Sequence, residues 1–110
     1  MIRELNVSQL TDVVERLCIE ANEHLPSDVK CAIEHCRACE DGEIAQGVLD
    51  NIIENYKIAD AENVPICQDT GVLQFWVKCG TKFPLIDDLE VLLKEAVVRA
   101  TVDAPLRLLL

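Results

Sequence analysis

Four consecutive residues, Cys67, Gln68, Asp69 and Thr70, set a thiol, a carboxamide, a carboxylate and a hydroxyl side by side. Pro65 and Ile66 precede them and Gly71 follows. A thiolate is a soft ligand for iron or zinc. A carboxylate next to it can exchange a proton with a bound substrate. Polar groups this dense, between a helical pattern and an extended one, suit a site loop better than a core. By spacing alone they also read as an ordinary turn. Asp69 and Thr70 would then bond to local backbone, and Gly71 would take a positive φ.

Six cysteines are present: Cys18, Cys31, Cys36, Cys39, Cys67 and Cys79. No apolar leader follows Met1-Ile2-Arg3-Glu4, so buried thiols or metal ligation explain them better than disulfides. Cys31, Cys36 and Cys39 follow C-x4-C-x2-C, the spacing of plant-type ferredoxins, with Cys67 as a distant fourth. That reading makes the chain a small iron-sulfur electron-transfer protein. Against it, these cysteines interleave with Val29, Ala32, Ile33 and Glu34 in a helical pattern, with no glycine among them. A helix sets Cys36 and Cys39 on one face and Cys31 to a side. A zinc site from His35, Cys36 and Cys39 is a further alternative. The simplest reading is thiols on or beside a helical face. Cys18 likewise reads as core, and Cys79 as structural.

The elements that must position the loop are mostly helical. Ser8 is expected to cap a first helix, with Asp12 in its first turn. Leu10, Val13, Val14, Leu17, Cys18 and Ala21 form the apolar face of that helix. His24 falls at its polar end and is expected in solvent. Pro26 reads as the first position of a second helix, striped by Val29, Ile33 and Cys36. Asp41-Gly42 separates it from a third, which carries Ile44, Val48, Leu49, Ile52, Ile53, Tyr56 and Ala59 and ends at Asn63 and Pro65. Asp87 and Glu90 have capping-box spacing for a last helix through Leu89, Leu92, Leu93, Ala96 and Val97. Between them, Val72–Lys78 alternates Leu73, Phe75 and Val77 with Gln74, Trp76 and Lys78, which predicts a strand. One strand cannot satisfy its own backbone. The expected class is therefore α+β: a mostly helical amino-terminal segment with one strand of a larger, incomplete sheet. An unpaired strand also admits a non-catalytic interaction fragment that binds a partner chain through that edge.

Composition narrows the classes. The chain has 110 residues, 20 acidic against 10 basic, for a net charge of −10. Such a balance disfavours nucleic acid and anionic membrane as partners. No stretch reaches the ~18 apolar residues of a membrane span, so a soluble, cytoplasmic chain is expected. Half the residues are hydrophobic and 4% aromatic, so any core is aliphatic.

Pro65-Ile66-Cys67-Gln68-Asp69-Thr70-Gly71 resembles the signature of the iron-sulfur hydro-lyases, the class I fumarate hydratases and the alpha subunit of L-tartrate dehydratase. Five fixed types in a row are more specific than a lone Cys-x-x-Cys. Pro105-Leu106-Arg107 follows, with Arg107 40 residues after Cys67, at the distance the family has it. The resemblance covers nearly all of the chain, and the chain covers well under half of a family alpha subunit. It implies that residues 1–110 are the amino-terminal part of an alpha-type catalytic domain. It implies that Cys67 is one of three cysteine ligands of a [4Fe-4S] cluster. Gln68 and Asp69 would line the substrate pocket, Asp69 exchanging a proton, with Thr70 and Gly71 shaping the turn. Arg107 would grip a substrate carboxylate through its two-pronged guanidinium. The implied reaction adds or removes water on a four-carbon dicarboxylate, with fumarate and tartrate fitting alike. The implied partners are the rest of the alpha domain and a beta subunit or domain, in an oligomer. Leu108-Leu109-Leu110 departs from the family, which continues with polar residues and two more cluster cysteines.

Overall fold

The computed structural model describes residues 6–84, 88–104 and 106. Among them are four helices and no strand: α1 Val7–Glu23, α2 Ser27–Cys39, α3 Glu43–Glu62 and α4 Leu89–Asp103. They fall into two compact units. One takes the described residues of Met1–Glu20 and Gly71–Leu110, the other Ala21–Thr70.

In the first unit, Asn6 caps α1. Its Oδ1 accepts from the backbone N–H groups of Ser8 (3.0 Å) and Gln9 (3.3 Å). The expected cap at Ser8 is therefore two residues late, and Asp12 falls beyond the first turn. Asn and Ser are near-equal caps, so residue type could not separate the two. Asp88 caps α4 by accepting from Glu90 N–H at 3.0 Å, while Asp87, the expected cap, lies outside the described residues. Val14 and Cys18 of α1 bury against Leu92, Ala96 and Ala100 of α4. These positions are spaced by four, the stripe of a helix face. Ala96 and Ala100 are fully buried. Cys18 is thus core, as expected, and burial pushes its thiol pKa up, with the Glu15 charge adding to the shift. On the rim, Arg99 bonds Asp12 at 3.3 Å and Glu95 at 2.7 Å.

The second unit is a helical hairpin. Pro26 sits at the N-cap of α2, one position before its expected place. Glu40-Asp41-Gly42 turns the chain: Gly42 N–H donates to Glu40 Oε1 (2.9 Å) and Gln46 Nε2 to Glu40 O (2.6 Å). α2 and α3 then pack antiparallel. Arg37 meets Asp50 through two bonds of 2.5 and 3.1 Å, Glu34 accepts from Tyr56 Oη at 2.8 Å, and Lys30 reaches Asp60. Tyr56 and Ala59 are buried on α3, whereas α2 buries no residue, so the expected stripe of Val29, Ile33 and Cys36 stays at least partly exposed.

The α+β class is corrected. Val72–Lys78 is irregular, as is all of 71–80. Its alternation is real, but no described segment offers it a ladder, and a lone strand leaves its N–H and C=O groups to water. Leu73 alone of this stretch packs against the first unit's buried cluster. Trp76 is 93% exposed and Val72 82%.

Candidate functional site

The Cys67 loop belongs to the α2–α3 unit. Asn63 ends α3 in the left-handed region (φ 52°), and its N–H returns to Ala59 O. Two residues past Val64 the chain is held from both sides. Ile66 N–H donates to Asn22 O at the end of α1 (2.9 Å), and Asn55 Nδ2 on α3 donates to Ile66 O (2.7 Å). Cys67 comes next. Cys67, Gln68 and Asp69 are exposed and Thr70 is half-buried. Gly71 has φ +70°, the left-handed turn expected of it and a conformation that disfavours any side chain.

An exposed thiol on an irregular, anchored loop fits one ligand position of an iron-sulfur cluster, where a buried helical thiol would not. Three further thiols lie in the same unit. Cys31, Cys36 and Cys39 are exposed along α2, and Cys39 Sγ instead lies 3.7 Å from His35 Nε2 one turn away. Among the described residues, no three or more His, Cys, Asp or Glu side chains are grouped to hold a metal ion. The ferredoxin spacing and the zinc alternative therefore have no converging ligand set here.

A second polar cluster stands in the same unit. Asp60 accepts from His24 Nδ1 (2.7 Å) and from Lys30 Nζ. Lys30 first and His24 second hold its carboxyl pKa below the usual value. His24 is thus half-buried and paired, which corrects its expected place in solvent. Lys30 also lies 5.5 Å from the Tyr56 ring centre. Burial first, then the hydrogen bond to Glu34, pushes the Tyr56 hydroxyl pKa up to about 12.

Residues 11–109 match the family described as fumarate hydratase (Fumerase). The chain is 42% identical over 101 residues to the putative L(+)-tartrate dehydratase subunit alpha of Methanocaldococcus jannaschii, covering 90% of this chain and 35% of that protein. It is 36% identical over 101 residues to the L(+)-tartrate dehydratase subunit alpha of Escherichia coli K12, covering 92% of this chain and 33% of that one.

The chain belongs to the fumarate hydratase family. It spans about a third of the length of the curated relatives it matches. On this fumarate hydratase family chain the loop residues Cys67, Gln68 and Asp69 are consecutive and exposed together, while Arg107 and Pro105 lie outside the described residues. No helix among the described residues is long and apolar enough to cross a membrane. Sequence reasoning missed Asn22, Asn55 and Asp60. No local signal marked them: Asn55 is one of several polar residues on α3, and Asn51 one turn earlier is of the same type.

Proposed function

We propose that this chain is the part of an iron-sulfur hydro-lyase, of the fumarate hydratase or tartrate dehydratase alpha type, that brings Cys67, Gln68, Asp69 and Arg107 to the active site. One observation carries the reading. In a chain of this family, the thiol, carboxamide and carboxylate stand exposed on one loop whose entry is bonded on both sides at Ile66. Both relatives are named as alpha subunits of L(+)-tartrate dehydratase, so the substrate class is a four-carbon dicarboxylate or hydroxy-dicarboxylate. The remaining two thirds of an alpha subunit, and a beta subunit, complete the site.

Cys67 would hold a [4Fe-4S] cluster through its sulfur, as one of three cysteine ligands. When bound, such a cluster supplies an iron that acts as a Lewis acid toward a substrate hydroxyl. Asp69 exchanges the proton at the substrate carbon, its carboxylate acting as base in one direction and acid in the other. Gln68 donates its carboxamide N–H to a substrate carboxylate, and Arg107 clamps the opposite carboxylate with two parallel bonds. Orientation by these groups matters, since a misplacement of about 1 Å can cost about a hundredfold in rate.

The test grafts residues 11–109 into the corresponding third of the Methanocaldococcus jannaschii alpha subunit, coexpressed anaerobically with its beta subunit. Cluster absorption is recorded, and turnover is followed with fumarate, malate and L(+)-tartrate. The graft is expected to turn over at least one of them. Cys67→Ser should remove the cluster absorption. Asp69→Asn should keep it and lower kcat by about a hundredfold or more. A full cluster spectrum in Cys67→Ser, or undiminished kcat in Asp69→Asn, overturns the corresponding assignment.

A further inference from the structure

We infer that Asn55 is the positioning residue of the Cys67 loop. Its side-chain amide fixes the peptide that enters Cys67, so the thiol leaves α3 in a set register. The inference rests on the reading of Cys67 as a ligand, and it concerns a residue whose side chain bonds the loop backbone.

Three observations converge on it. Asn55 lies on α3 two turns before the helix ends, and its Nδ2 reaches forward to Ile66 O at 2.7 Å, across the left-handed turn at Asn63. The same peptide unit's neighbour is held on the opposite side, Ile66 N–H to Asn22 O at 2.9 Å. Ile66 therefore has its two backbone groups held by two different helices. The chemistry singles out the amide. Ile66 O needs a donor, so an aspartate of the same shape at position 55 would face a carbonyl with a carboxylate and repel it. A histidine or glutamine could still donate. The His24–Asp60 contact acts on the same side, since it holds the chain two residues after Asn22 to α3. Asn22 is thereby kept within reach of Ile66, and Asn55 supplies the second hold.

Backbone amide exchange and ¹⁵N shifts of the whole 110-residue chain test this, comparing wild type with Asn55→Asp, Asn55→Ala and Asn55→Gln. Without the Asn55 hold on Ile66 O, the neighbouring bond from Ile66 N–H to Asn22 O opens more often, and exchange at Ile66 is expected to quicken by about threefold. Shifts should move at Ile66 and Cys67 and stay fixed at Tyr56 and Ala59, whose burial reports α3 packing. Asn55→Gln, which keeps a donor, should recover part of the protection. Alkylation of Cys67, read by mass spectrometry against Cys36 and Cys39 as internal standards, should quicken in Asn55→Asp alone among the three thiols. Unchanged Ile66 exchange in both Asn55→Asp and Asn55→Ala overturns the inference. So does a change that spreads equally over α3, which would make Asn55 a helix residue only. Neither result bears on the ligand role of Cys67, which the Cys67→Ser spectrum decides separately.

Discussion

The two units of this chain hold themselves together by different means. The α1–α4 unit closes on an apolar stripe in which Ala96 and Ala100 are fully buried and Cys18 is 2% exposed. The α2–α3 unit buries nothing on α2 and relies on Tyr56, Ala59 and a row of polar ties: Arg37–Asp50, Tyr56–Glu34, Lys30–Asp60 and His24–Asp60. The candidate site sits on the second kind of unit. Apolar packing is non-directional, so it holds helices without fixing a register. Hydrogen bonds are directional, and each demands its own partner. A loop that must present a thiol and a carboxylate gains more from the second arrangement. The same unit leaves Ile44, Val48 and Ile52 exposed on α3 and Val29 on α2, a surplus of aliphatic surface that its polar ties do not cover.

The largest effect that separates the two should come from truncating the apolar stripe. Leu92 is 6% exposed within that cluster. Leu92→Ala is expected to cost about 3 kcal/mol, the transfer term plus the cavity left behind. Ile33→Ala on α2, where no residue is buried, should cost about 1 kcal/mol because less area returns to water. Urea unfolding with exchange read separately on α4 and α3 checks both. Equal losses would erase the distinction drawn between the units.

Acid sharpens the comparison next. Asp60 and Asp50 have carboxyl pKa values held below the ordinary 3.8, by Lys30 and then His24 in one case and by Arg37 in the other. A depressed folded value contributes stability that is present above 3.8 and is lost as pH falls through the folded value. Glu15, in the first unit, moves the other way. The hydrogen bond that its protonated carboxyl donates to Asp103, and then burial, raise it above 4.5, so its contribution is present below 4.5 and lost as pH rises through the folded value. Taking the chain below pH 4 should therefore weaken α2–α3 while relieving α1–α4. Asp60→Asn should lower the thermal midpoint at pH 7 by several degrees and flatten the acid-side loss of α2–α3 signal. An unchanged acid profile in Asp60→Asn would remove Asp60 from the ties that hold this unit.

How much of this was readable in the residues differs between helices and loop. Helix positions were legible because a period of 3.6 and the breaks at Asp41-Gly42 and Asn63 are local signals. The cap at Asn6 was not, since Ser8 offers the same chemistry two residues later. His24 was misplaced because its partner, Asp60, lies 36 residues on, and nothing local distinguishes a paired histidine from a solvated one. The Cys67-Gln68-Asp69 loop stood out by residue type alone, and Gly71 takes the positive φ that its turn demands. The bonds that anchor the loop, from Asn55 and Asn22, depend on where three separate segments meet, which no spacing rule encodes.

The smallest expected effect concerns the stretch where the sequence misled most. Leu73, Phe75 and Val77 alternate with Gln74, Trp76 and Lys78, and alternation signals a strand only when a neighbour completes the ladder. Without one, the pattern reduces to which side chains find apolar contact. Leu73 does, against the α1–α4 cluster. Trp76 does not, at 93% exposure, although it is the largest side chain of the segment and would anchor a sheet face if there were one. Trp76→Ser should therefore change stability by no more than about 0.5 kcal/mol, the usual range for a surface site. Leu73→Ala should cost about 1 kcal/mol through lost burial. Indole fluorescence of the wild type should report a water-exposed ring, red-shifted and open to iodide quenching, with no change on adding denaturant below the transition. A blue-shifted, protected emission, or a Trp76→Ser loss that matches Leu73→Ala, would mean that this segment packs in solution and that the α1–α4 stripe is only part of its unit's core.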